Sequence, residues 1–290
     1  MAGAIPMRRV ALLVVVIGAC SSGPAIPHAG PQGDQTQVQP LLDKAEAKYA
    51  ALAAKDDIKP ALDAYEEILK VAPDNRNALE RVALLAYYYA NKVIPANDKD
   101  KRMAGYLRGR EAGLRAMALN PKFREAYEKD QDIAKEMPLM TKQDVAAMYW
   151  AAVNWAKWGE LYGIIRAAID IPRVKALMNR AAELDAPYWG NAVDRFFAAY
   201  WVAIPGFAGR DAKKAKAAFD AAVAISPGFL DNYVIFASYY CKDQEDKKQF
   251  EDVLNKVIAT PADTTMYKFF NELARQDAKD LLAHEKEVFD

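Results

Sequence analysis

Two stretches of the chain carry one pattern at one spacing. Ala61, Tyr65, Ile68 and Pro73 stand four, three and five residues apart, and Ala215, Phe219, Ala222 and Pro227 repeat those intervals. Steps of four and three return to the same side of an α-helix, so these side chains share one face. The small residue lets a paired helix approach and the ring fills the remaining gap. The proline ends the helix because it cannot donate the next backbone hydrogen bond. Gly109, Gly113, Ala116 and Pro121 form a degenerate third copy. A chain built this way folds as stacked helix pairs in the manner of tetratricopeptide (TPR) repeats. The first helix of each pair is less regular. Ala45, Lys48, Tyr49 and Leu52 stand where an aromatic-Leu-Gly-Tyr set is expected, and Pro205-Gly206 interrupts the later copy. The expectation is therefore an irregular array of TPR-like helix hairpins.

The rest of the body follows the same logic. Helical periodicity runs from Leu41 onward and predicts about twelve helices. They fall near 41–54, 58–71, 75–92, 99–119, 122–136, 142–166, 172–185, 188–204, 211–225, 228–241, 246–259 and 264–289. Pro73, Pro121, Pro187, Pro227 and Pro261 each stand just past a helix end. Asp211 is placed to cap a helix start after Gly209-Arg210. No segment alternates with β-branched residues, so the fold class is all-α with no sheet.

The N-terminus has a different purpose. Arg8 and Arg9 precede an apolar run, Val10 to Ile17, followed by Gly18-Ala19-Cys20. The run is shorter than the roughly 20 residues a membrane span needs. A basic start, a short apolar stretch and small residues before a cut site make an export signal. The Cys directly after the small residues reads as a bacterial lipoprotein box. Residues 1–19 are then a lipoprotein signal peptide, and Cys20 is the acylated N-terminus of the mature protein. Residues 20–40, rich in Pro, Gly and Gln, read as a flexible tether with reach of roughly 25 Å. Residues 41–290 form a single α-helical domain. Ser21, where Asp would signal retention at the inner membrane, favours the periplasmic face of the outer membrane.

Composition excludes several chemistries. The chain has 39 basic and 39 acidic residues, so no bulk charge draws it to nucleic acid. It has two histidines, His28 and His284, and two cysteines. That leaves no multi-histidine metal site and no His-dependent nucleophile. Once Cys20 is lipidated, Cys241 has no partner for an intrachain disulfide. There is no Gly-rich phosphate loop and no nucleophile elbow. The chain reads as a non-enzyme that needs no cofactor.

Aromatic residues are concentrated instead. The segment Met148 to Tyr162 holds three of the five tryptophans. At roughly 100° per residue, Trp150, Asn154, Trp158, Tyr162 and Ile165 fall within about 120° of arc, with Trp155 at its edge. A second group comprises Tyr188-Trp189 and Arg195 through Trp201. These rings serve either as helix–helix core or as the wall of a mostly apolar ligand cleft. The candidate ligand-binding set is Tyr149, Trp150, Asn154, Trp155, Trp158, Tyr162, Arg195 and Trp201. Asn154 within an apolar stripe needs a hydrogen-bond partner, which makes it a candidate polar handle.

Several segments, in this order, resemble the T component of TRAP-type transporters (TatT), a periplasmic lipoprotein family. They are Met148-Tyr-Trp through Asn154-Trp155, Arg180-Ala-Ala-Glu-Leu-Asp185, Ala203 through Asp211, Ala215-Lys-Ala-Ala-Phe219, and Phe270-Asn-Glu-Leu-Ala-Arg through Leu282. The chain departs from the family at Gly209-Arg-Asp211, where Gly-Gly-Asp is more usual, and at Ala181, where a larger apolar residue is. The resemblance implies a homotrimer whose partner is the periplasmic substrate-binding protein (P component). It also implies an apolar pore or cleft serving hydrophobic ligands. The competing expectation is a TPR-type scaffold for envelope assembly with no ligand of its own.

Overall fold

The computed structural model describes residues 23–26, 34–262 and 267–289. The expected signal peptide and the expected lipidation residue Cys20 lie outside the described residues. The described chain forms thirteen α-helices and no strand. They are α1 (Gln35–Ala50), α2 (Ile58–Val71), α3 (Arg76–Tyr88), α4 (Lys99–Met117), α5 (Pro121–Asp130), α6 (Val145–Tyr162), α7 (Ile164–Asp185), α8 (Tyr188–Ala203), α9 (Ala212–Ile225), α10 (Asp231–Ile235), α11 (Lys247–Ala259), α12 (Lys268–Ala283) and α13 (Glu285–Phe289).

The repeated pattern forms the helices it predicts. On α2, Ala61, Tyr65 and Ile68 are buried, and on α9 so are Ala215, Phe219 and Ala222. The helix after each Pro-terminated helix ends in a π turn, at Tyr89–Val93 and at Phe236–Cys241. The third copy acts through its small residues. A methyl group on Gly105 would lie 2.9 Å from Ala90 Cβ, on Gly109 2.4 Å from Asn154, and on Gly113 2.8 Å from Ala151. This glycine row lets α4 press against the end of α3 and the middle of α6 closer than any side chain permits.

Several boundaries differ from the expected ones, and the last expected helix, 264–289, breaks at His284 into α12 and α13. Helix α1 begins at Gln35, six residues before Leu41, and runs through Pro40. Asp34 caps it by accepting from the Thr36 amide at 2.9 Å. Upstream, Gly23 is buried and the Tyr127 hydroxyl donates to the Pro24 carbonyl at 2.8 Å. This part of the expected tether therefore rests on α5. Helix α5 stops at Asp130 instead of 136 because Gln131 turns left-handed, at φ 56°. The expected gap between 166 and 172 is helical. The break lies at Gly163, whose φ of 141° and ψ of 160° only glycine adopts freely. Pro172 sits inside α7. The carbonyl it cannot bond belongs to Ala168, an exposed residue, where an unbonded carbonyl costs less than in the core.

Two cores hold the helices. The larger joins α1 to α7 with Ala192 and Val193 of α8, Phe229, and Phe270 and Leu273 of α12, and includes Trp150, Trp155, Leu79 and Leu177. The smaller gathers Phe219, Phe236, Phe250 and Leu254 from the C-terminal helices. Trp189, Phe229 and Phe270 pack where the two halves meet.

Candidate functional site

A cleft of about 740 Å³ opens along the larger core. One wall is α3, through Arg76, Asn77, Glu80, Arg81 and Leu84, with Trp150 from α6. The other is the junction of α7 and α8, through Asp185, Pro187, Tyr188 and Trp189, with Tyr267. The floor is aromatic and the rim is charged.

The far wall depends on an unusual turn. Trp189, Gly190 and Asn191 are all left-handed, at φ 49°, 67° and 57°. A left-handed conformation costs a non-glycine residue roughly 1–2 kcal/mol, so neighbouring contacts must hold the turn. Arg195 does so from the buried side. Its guanidinium donates to the Gly190 carbonyl at 3.1 Å, to the Trp189 carbonyl at 3.3 Å and to Asn232 Oδ1 at 2.7 Å. Asn232 in turn donates to the Gly190 carbonyl at 3.1 Å. Asp231 lies 3.6 Å from Arg195 Nε and balances its charge. A methyl group on Gly190 would stand 2.4 Å from the Phe229 ring, so only glycine fits.

The turn sets two rings in the cleft. Trp189 donates through Nε1 to the Tyr88 hydroxyl at 3.3 Å, and its ring meets Trp150 edge-on at 5.3 Å and Tyr267 at 5.3 Å. Trp150 donates through Nε1 to the Tyr188 hydroxyl at 3.0 Å. Both indole N–H groups are satisfied, which leaves apolar ring faces as the recognition surface. Burial pushes the Tyr188 and Tyr267 hydroxyls up, keeping the phenols neutral.

The rim charges are already paired. Arg76 bridges Glu80 at 3.4 Å and the buried Asp144 at 3.1 Å. Arg81 lies 3.8 Å over the Tyr49 ring and 3.9 Å from Glu46. Lys142 pairs with Asp185 at 3.3 Å. Burial raises the Glu80 carboxyl above its ordinary value, against the charge of Arg76. No group of three or more His, Cys, Asp or Glu side chains among the described residues is arranged to hold a metal. The arrangement suits a flat or chain-like apolar body between ring faces.

Of the eight residues expected at a ligand site, Trp150 alone lines this cleft. Tyr149, Asn154 and Trp155 are buried in helix packing. Asn154 donates to the Ala83 and Trp150 carbonyls at 2.9 and 2.7 Å, so its polar group joins α3 to α6. Trp158 is half-buried beside Arg110, and Tyr162 is 58% exposed. Arg195 stands behind the cleft wall. Trp201 is half-buried at the end of α8 under Lys214, 4.7 Å from its ring. The residues not singled out are Arg76, Arg81, Leu84 and Tyr267, with Tyr188 and Trp189, which were noticed only as an aromatic group. The readable signal was Pro187 followed by Trp189-Gly190-Asn191, a turn grammar.

Residues 52–289 match a family model described as TRAP transporter T-component. No curated protein matches the chain.

Proposed function

Because the chain belongs to the TRAP transporter T-component family, matched over residues 52–289, we propose that it is the accessory lipoprotein of a TRAP-type solute transport system and that its cleft holds an apolar ligand. In this role it is held in the periplasm by lipid at Cys20, on the inner leaflet of the outer membrane. It assembles as a homotrimer and docks the periplasmic substrate-binding protein. The observation that carries the ligand reading is the cleft of about 740 Å³ with Trp150, Tyr188, Trp189 and Tyr267 around it. That volume and aromatic lining match those of small-molecule sites.

The test has two readouts on the same protein. The full chain, purified from its native envelope, recovers a periplasmic substrate-binding protein in a pulldown and enhances the fluorescence of an apolar naphthalene dye. Trp189→Ala lowers dye affinity about tenfold, the loss expected for one aromatic wall. Trp158→Ala, which removes no cleft surface, leaves dye affinity unchanged. Recovery of outer-membrane assembly factors alone, with no dye bound, replaces this reading with that of a ligand-free scaffold.

A further inference from the structure

Helix α7 exposes an apolar stripe at helical spacing. Ile165, Ala168, Ile169 and Pro172 are all exposed and lie on one side of its first turns. Ile164 and Tyr162, 63% and 58% exposed, carry the stripe across the Gly163 break. Single exposed apolar side chains are ordinary, but a contiguous set marks a surface meant to be covered. The second half of α7 is conventional, burying Val174, Leu177, Met178 and Ala181.

Arginines border the stripe. Arg166 and Arg173 both reach the buried Asp170, at 2.6 and 3.3 Å. The guanidiniums of Arg166 and Arg110 lie 5.5 and 5.0 Å from the Trp158 ring. Arg110 Nε is buried without a hydrogen-bond partner. An apolar face flanked by arginines is the pattern of a helix lying in the interface of an anionic bilayer.

The path of the chain selects that occupant. Gly23 packs on the Tyr127 hydroxyl and the Gln131 carbonyl. Helix α5, which carries Tyr127, and α7 both pack on the short turn at Met137–Leu139, and the charge of Arg173 acts on the Tyr127 phenol. Arg173 is one turn beyond Ile169. Cys20 precedes Gly23 by three residues, which limits its distance from Gly23 to about 10 Å. A lipid on Cys20 thus brings the bilayer to the side of the body that carries the stripe.

We propose that the segment from Tyr162 to Pro172 lies against the bilayer that holds the lipid anchor, with the isoleucines in the acyl boundary and Arg166 at the lipid phosphates. This rests on the lipoprotein reading of Cys20.

The test uses Ile165→Cys in the full lipidated chain, carrying an environment-sensitive fluorophore. Cys241 is fully buried, with its thiol pushed up to about 12, and stays unlabelled. Phe207→Cys, at a position 92% exposed on another loop, is the reference. With vesicles of phosphatidylethanolamine and phosphatidylglycerol, the label at 165 shifts to the blue and is quenched severalfold by nitroxide lipids, and the label at 207 does neither. A chain that floats with the vesicles but shows no shift at 165 overturns the membrane face and leaves the anchor standing. A chain that neither floats nor incorporates fatty acid at Cys20 overturns both. A shift at 165 that appears without vesicles and grows with protein concentration assigns the stripe to a second copy and overturns the proposal.

Discussion

Gly190 and Arg195 illustrate how single residues set the cleft. Gly190 accepts a left-handed φ and leaves room for the Phe229 ring, and Arg195 ties down the two carbonyls that the turn exposes. Gly190→Ala therefore meets both a strained dihedral and a clash with a buried ring. The expected loss is about 2–4 kcal/mol in urea unfolding, with a parallel loss of dye binding. An unchanged urea midpoint would contradict this account of the turn. Cys241 supplies a pH test. Its thiol rises from the model-peptide value of 9.0 to about 12, chiefly through burial. The folded state thus keeps its proton where the unfolded state loses it, so stability falls as pH rises from about 9 to about 12. At pH 8 an aromatic disulfide reagent reacts with Cys241 only after urea unfolds the protein. Fast reaction in buffer would mean the thiol is open. Arg195 also marks the limit of reading residues singly. An arginine among aromatic residues suggests ligand contact in one dimension, but its acceptors are backbone carbonyls of a turn that no side-chain pattern describes.

At the scale of elements, most of the fold was legible. The proline-ended helices, the absence of strands among the described residues and the glycine row of α4 follow from periodicity and steric size. What escaped were breaks decided by solvent and by glycine. Pro172 reads as a helix start, yet it lies within α7, and the carbonyl it leaves unbonded belongs to the exposed Ala168. Pro172→Ala restores that hydrogen bond and should raise stability by on the order of 1–3 kcal/mol in thermal unfolding. No change would mean that α7 is bent to suit its proline. The aromatic helix α6 was legible as an element but not as a site. Its rings point toward three different neighbours, and helical phase alone cannot tell the α3–α4 interface from a cleft. The cleft is assembled from α3, α6, the α7–α8 turn and Tyr267, and no window of sequence contains that set.

At the scale of the whole molecule, the proposed homotrimer elutes in size-exclusion chromatography near three times the monomer mass at micromolar concentration. A strictly monomeric body at that concentration would count against it, and the membrane face would then be the only cover for the α7 stripe.

The cleft's place in the larger core bears on how the protein melts. Trp189, Phe229 and Phe270 belong to that core, while the smaller one is built on Phe219, Phe236, Phe250 and Leu254. Without an occupant, the C-terminal helices can open as a cooperative unit while the larger core persists. An occupant that touches both walls needs α3, α6, the α7–α8 turn and Tyr267 in place, so its binding free energy is lost when the larger core opens. At a hundredfold excess over its dissociation constant that amounts to about 2.7 kcal/mol. Filling the cleft therefore raises the melting of the larger core and not that of the smaller one, so the shape of the thermal transition, as well as its midpoint, reports occupancy.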